Sequence, residues 1–178
     1  MEPIVDFKIL PERLRQAAQV VTVAVASPAD SHTEEVIERS IAEQFARFIL
    51  VANAAKADIA RRLAADYPDK VTLIVAEDDD DAARHAVKEV REGRADVLMK
   101  GSLNTDNLLR AVLNKEEGIL IKGSVLTHIA VADVPSLNHL LFFTDAAVIP
   151  YPTTEQFDAL ARYISATFRS ITGGDRPR

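Results

Sequence analysis

ADVLMKGSLNTDNLL, residues 95–109, sets Val97, Leu98 and Met99 in a row before Lys100 and Gly101, then small polar residues, then leucines. A short apolar run closed by a glycine and a cluster of cap-forming residues reads as a buried strand that turns directly into a helix. The same order recurs upstream. VVTVAVA (20–26), FILVA (48–52) and VTLIVA (71–76) are continuous apolar runs, as strands buried on both faces require. Amphipathic segments follow them: HTEEVIERSIAEQF with Val36, Ile37, Ile41 and Phe45, AKADIARRLAADY with Ile59 and Leu63, and DDAARHAVKEVREG with Ala83, Val87 and Val90. This alternation predicts an α/β fold: a doubly wound, mostly parallel sheet with helices on both faces, in three layers. Ligands of such sheets bind outside the carboxyl ends of the strands, so the loops to inspect are 27–33, 53–57, 77–81 and 100–106.

After Leu120 the pattern changes. Two strand-like runs, 125–134 and 140–148, are joined by PSLNH, which reads as a turn and predicts a mixed edge to the sheet. Past Pro150-Tyr151-Pro152, Thr153 or Thr154 is placed to cap a last helix carrying Phe157, Leu160, Ile164 and Phe168, before the breaker-rich tail TGGDRPR. The expected organisation is one α/β domain over 1–150 and a helix with its tail over 151–178.

Composition narrows the chemistry. The 178 residues contain no cysteine, which removes disulfides, thiolate metal sites and a cysteine nucleophile. A net charge of −6 with dispersed Lys and Arg argues against a nucleic-acid surface. No apolar run is long enough to cross a bilayer, and MEPIVDFKILPERL lacks the order of a secretion signal, so a cytoplasmic protein is expected.

Lys100-Gly101-Ser102 is not a nucleotide P-loop, whose glycines precede the lysine and whose hydroxyl follows it directly. It still supports an anion seat. Gly101 lets the backbone approach a ligand, Asn104, Thr105 or Asp106 caps a helix whose free amides attract negative charge, Lys100 adds a cation and Ser102 a hydroxyl. A plain strand-to-helix turn with a solvated lysine satisfies the same pattern. The following helix, TDNLLRAVLNKEEG, places Leu108, Leu109, Val112 and Leu113 on one face, with Gly118 as its stop and Lys115 near its C-terminus. In the first loop Ser27, Ser31, His32 and Thr33 sit at a strand's carboxyl end, with Ser31 or Thr33 as the helix cap. The run Asp78 to Asp81 suits an acidic first turn better than a metal site, and His32, His85, His128 and His139 have no ligand spacing. Ser124, Thr127 and His128, and then Thr144 and Asp145, interrupt apolar runs with groups that need partners if buried, in a structural role or a site.

The segments ADVLMKGSLNTDNLLRAVLNKEEGI, SVLTHIAVADVP and HLLFFTDAAV resemble the phosphate acyltransferases, that is, phosphate acetyltransferase and especially phosphate butyryltransferase. The likeness runs in family order from about Val20 to Ile149. It implies an isocitrate dehydrogenase-like fold of two α/β domains around a cleft, and reversible transfer of a short acyl group between coenzyme A and inorganic phosphate. No metal or redox cofactor is implied, coenzyme A being a substrate, and a homo-oligomer is expected. The chemistry asks for a base near the thiol, donors for the carbonyl oxyanion and cationic or amide groups for phosphate. With the resemblance, Lys100, Gly101, Ser102, Asn104 and Thr105, together with Ser124 and His128, look like the phosphate and acyl side of such a cleft. Ser27 and Ser31 of the first loop are further candidate substrate-binding residues, and His128 and Asp145 are the candidate catalytic ones. Family chains are longer, and their second half supplies a serine, an arginine and an aspartate that have no counterpart in these residues. A non-catalytic module binding phosphate or coenzyme A, and a metal-dependent dehydrogenase on a related fold, are the competing readings.

Overall fold

The computed structural model describes residues 4, 6–16, 20–137, 139–146 and 148–173, and its contacts group them into two compact units, 15–121 and 1–14 with 122–178. The sequence pattern draws its boundary at 150; the contacts group 122–150 with the last helix. The tail from residue 174 lies outside the described residues.

The larger unit holds a four-stranded parallel sheet made of β1 (Val21–Ala26), β2 (Ala46–Asn53), β3 (Val71–Ala76) and β4 (Val97–Lys100), in the order β3-β2-β1-β4. Helices α2 (Ser31–Ala42), α3 (Asp58–Asp66), α4 (Asp79–Arg91) and α5 (Thr105–Val112) follow the strands in turn, after an N-terminal α1 (Leu10–Gln16). Because side chains alternate across a strand, each continuous apolar run feeds two cores. Val23, Val25, Phe48 and Leu50 meet Ile37 and Ile41 of α2 and Leu63 of α3. Ala24, Ala26, Ile49 and Val51 meet Ala82, Ala83, Ala86 and Val87 of α4, with Leu103 and Ala111. Alanine against alanine lets α4 lie close to β1. This is the three-layer arrangement that the alternation predicts.

Three local expectations are corrected. Asp30, not Ser31 or Thr33, caps α2: its carboxylate accepts from the Thr33 amide at 2.9 Å and the Thr33 hydroxyl at 2.7 Å. Helix α5 stops at Val112, well before Gly118, because the Asn114 side chain accepts the Glu116 and Glu117 amides while the amides of Ile119 and Leu120 turn back to the Val112 carbonyl. Leu113 consequently faces solvent, and Ala111 is the buried residue of that helix.

The other unit corrects the third. β5 (Ile129–Asp133) and β6 (Leu140–Thr144) form their own antiparallel two-stranded sheet rather than a mixed edge. Phe142 packs edge-on against Phe168 of α6 (Thr154–Thr172), ring centroids 5.3 Å apart. Thr153 caps α6 in a reciprocal capping box with Gln156.

Candidate functional site

The crossovers run from β1 outward to β2 and β3 and then return past β1 to β4, so the chain reverses direction across the sheet between β1 and β4. Ala26 pairs with Lys100 there, and Ser27 and Gly101 leave the sheet side by side. Ser27 is fully buried, with φ at +57°, a left-handed conformation that serine rarely adopts. Its amide donates to the Val51 carbonyl at 2.8 Å, and its carbonyl accepts from the Ser102 amide at 2.8 Å and the Ser102 hydroxyl at 2.9 Å. The Gly101 amide donates to the Ala26 carbonyl at 2.9 Å. A Cβ on Gly101 would lie 2.4 Å from the Ser27 oxygen, so only glycine lets the two loops touch.

A carboxylate organises the same end of the sheet. Asp79, the first residue of α4, accepts from the Ser27 hydroxyl (3.1 Å) and the Asn53 amide (2.9 Å) on one oxygen and from the Lys56 ammonium (3.1 Å) on the other. The hydrogen bond from Asn53, with those from Lys56 and Ser27, outweighs burial and holds the Asp79 carboxyl below the usual carboxylate range. The neighbouring aspartates go elsewhere: Asp78 caps α4, Asp80 accepts from Asn107, and Asp81 accepts from the Glu77 amide and Arg84. The acidic run is therefore four separate contacts.

Lys100 does not project freely. Its ammonium donates to the Gly101 carbonyl at 3.1 Å and the Leu103 carbonyl at 3.0 Å, clamping its own loop while the Leu103 side chain anchors that loop in the core. Asn104 caps α5 by position, but its side chain makes no cap hydrogen bond, and Asn104 and Thr105 are exposed. Ser31 lies exposed at the start of α2. An open cleft of about 500 Å³ is lined by Ala29, Lys56, Asp58, Ile59 and Ser102. Of the proposed substrate-binding residues, then, Ser102 is hydrogen-bonded to Ser27, Gly101 beside them bonds to Ala26, Lys100 braces the loop, and Ser31, Asn104 and Thr105 lie at helix starts.

Ser124, His128 and Asp145 belong to the other unit. Ser124 is exposed. Asp145 has φ at +57°, its amide donates to the His128 carbonyl at 2.8 Å, and its carboxylate accepts from the Thr127 and Thr144 hydroxyls and the Ile149 amide. Burial pulls that carboxyl upward, but these hydrogen bonds outweigh it and leave it below the usual range. The His128 Nδ1 is buried and has no hydrogen-bond partner among the described residues. Sequence reasoning missed Asn53, Lys56 and Asp79 as a group. The available signal was that Asn53 and Lys56 fall in the segment 53–57 and Asp79 in 77–81, each at a strand's carboxyl end.

The family model described as "Phosphate acetyl/butaryl transferase" matches residues 68–178. The chain belongs to this family. It is 40% identical over 144 residues to the phosphate butyryltransferase of Clostridium beijerinckii, which covers 79% of this chain and 47% of that one. It is 36% identical over 135 residues to the probable phosphate butyryltransferase of Bacillus subtilis, with coverage of 76% and 44%. The chain thus spans about half the length of these curated relatives. Its fold is that of a branched-chain phosphotransacylase from Enterococcus faecalis, with a TM-score of 0.67 at 21% identity, over 83% of this chain and 50% of that structure. Family membership and the parallel sheet both agree with the reading from sequence. Among the described residues no helix is long and apolar enough to cross a membrane.

Proposed function

We propose that this chain carries part of a phosphate acyltransferase site, moving a short acyl group between coenzyme A and inorganic phosphate. The observation that carries the reading is the family match over 68–178, a segment that includes Lys100 to Thr105, Ser124, His128 and Asp145. In this reaction the thiol of coenzyme A loses its proton and its sulfur attacks the carbonyl of an acyl phosphate. The C–S bond forms, the C–O bond to phosphorus breaks, and phosphate leaves; the reverse reaction retraces these steps. Phosphate needs positive or amide donors at a water-accessible edge, and the exposed start of α5, with Asn104 uncapped and Thr105 beside it, offers them. His128, whose buried Nδ1 has no hydrogen-bond partner among the described residues, is assigned the proton transfer. Asp145, with both oxygens already accepting, is assigned to holding that corner in place. The protein works in the cytoplasm as a homo-oligomer and uses no metal or redox cofactor in the chemistry.

The span of half the relatives' length favours a second reading, in which the chain binds phosphate or coenzyme A without turnover. Thiol release from acetyl- or butyryl-coenzyme A, with and without phosphate, separates the two. Phosphate-dependent release is the expected outcome. Protection of the fold by phosphate or coenzyme A without release supports the binding reading, and neither release nor protection overturns both.

A further inference from the structure

We infer that Lys56, aimed by Asp79, is the cation that receives a phosphoryl group in the cleft beside Ser102, an assignment that rests on the function proposed above. Two lysines stand at the carboxyl edge of the sheet, and their ammonium groups are used differently. An ammonium has three N–H donors. Lys100 gives two of them to the carbonyls of Gly101 and Leu103. Lys56 gives one to Asp79, at 3.1 Å, and its side chain is half exposed. Among the described residues that is its one hydrogen bond, which leaves two donors for a ligand.

The surroundings of Lys56 suit an anion. The cleft of about 500 Å³ brings together Ala29 from the connection after β1, Lys56, Asp58 and Ile59 around the start of α3, and Ser102 from the loop after β4. It therefore samples both sides of the point where the chain reverses across the sheet, where doubly wound folds bind ligands. Ala57, the N-cap residue before α3, makes no side-chain cap hydrogen bond to the first turn of that helix. The one carboxylate in the lining, Asp58, points into solvent at 98% exposure and pairs with Arg61 at 3.4 Å. Asp79, itself held by Ser27 and Asn53, accepts one bond from the ammonium and so restrains a flexible lysine stem that stays half exposed. The cleft is open, so a phosphoryl group borne on a larger molecule can enter it as well as a free phosphate ion. An acyl phosphate and the phosphates of coenzyme A offer the same chemistry.

The test is calorimetric titration of the full chain with inorganic phosphate, coenzyme A and dephospho-coenzyme A, for the unaltered protein, Lys56→Ala and Lys56→Arg. Lys56→Ala is expected to weaken binding about tenfold with an unchanged melting temperature, and Lys56→Arg to restore most of it. The loss is expected to persist in Lys56→Ala combined with Asp79→Asn, which removes the carboxylate that the single variant leaves unpaired. Loss confined to inorganic phosphate would place the acyl-phosphate end there. Loss for coenzyme A but not for dephospho-coenzyme A would place its 3′-phosphate there. If the unaltered chain binds and Lys56→Ala binds equally well, the Lys56 assignment is overturned and the proposed function stands. If the unaltered chain binds none of the three ligands, the proposed function itself fails.

Discussion

Two aspartates organise two regions of this molecule by the same device. Asp79 gathers Ser27, Asn53 and Lys56; Asp145 gathers Thr127, Thr144 and the Ile149 amide. Each cluster includes one non-glycine residue with φ at +57°, Ser27 in the first and Asp145 itself in the second. Hydrogen bonds made to a fixed carboxylate offset the backbone strain of that conformation, roughly 1–2 kcal/mol for an L-residue. The clusters differ in what they leave over. Among the described residues every donor to Asp145 is neutral and lies within the corner. Asp79 includes a half-exposed ammonium that opens on a cleft. A carboxylate closed on neutral donors holds a corner, whereas one tethering a solvent-facing cation can present that cation to an anion.

The comparison breaks most readily at glycines. In the Asp79 region Gly101 has no room for a Cβ, while in the other unit Gly123, at φ +85°, faces open space. Gly101→Ala is expected to cost about 3 kcal/mol or more by overpacking against the Ser27 carbonyl. Gly123→Ala is expected to cost about 1 kcal/mol, from the left-handed backbone alone. Urea midpoints measure both, and equal costs would mean that the loop after β4 shifts freely off β1.

At Asp145 the expected effect is next in size. Asp145→Ala removes the acceptor for Thr127, Thr144 and Ile149 at a cost of about 2–3 kcal/mol near neutral pH. The folded-state carboxyl sits below its ordinary value of about 3.9, so its contribution is complete above about pH 4 and is lost as the pH falls through the folded value. Asp145→Asn, which tolerates the left-handed backbone, should cost less and remove this group's share of the acid-side decline. A stability–pH curve in Asp145→Asn that still parallels the unaltered protein below pH 4 would show that the carboxylate is not the stabilising charge at this corner.

The strands are legible in the sequence because burial on both faces forces continuous apolar runs, and in β1 and β2 these same residues divide between the two cores. Other features are not. Asp30, Ser31 and Thr33 are all competent caps, and only the path of the backbone selects Asp30. The stop of α5 depends on which donors reach the Asn114 side chain, a local choice that helical periodicity does not encode. An antiparallel pair has the same alternation whether it extends a larger sheet or stands alone, so the separateness of β5 and β6 is not written in either strand. Gly101 was legible because a strand end needs close approach; Lys56 was not, since its partner Asp79 lies 23 residues away and Asn53 lies 26 from the same carboxylate. Only the parallel sheet, by aligning the ends of β1, β2 and β3, brings these loops together.

The smallest expected effect discriminates most finely, because it concerns two residues of the same type at one edge of the sheet. Lys100 closes its loop on the Gly101 and Leu103 carbonyls, so Lys100→Ala removes two charge-assisted bonds from a segment whose neighbour Leu103 is buried. With partial exposure discounting the charge, the expected loss is about 1 kcal/mol. Lys56→Ala removes one half-exposed ion pair, expected to contribute less than about 0.5 kcal/mol. The stability order should therefore be opposite to the order in phosphate affinity, with Lys100→Ala the less stable variant and Lys56→Ala the weaker binder. Measured together, the two quantities separate a lysine that shapes the site from one that serves the ligand. If a single lysine dominates both, the division of labour between them is wrong, whichever lysine it is.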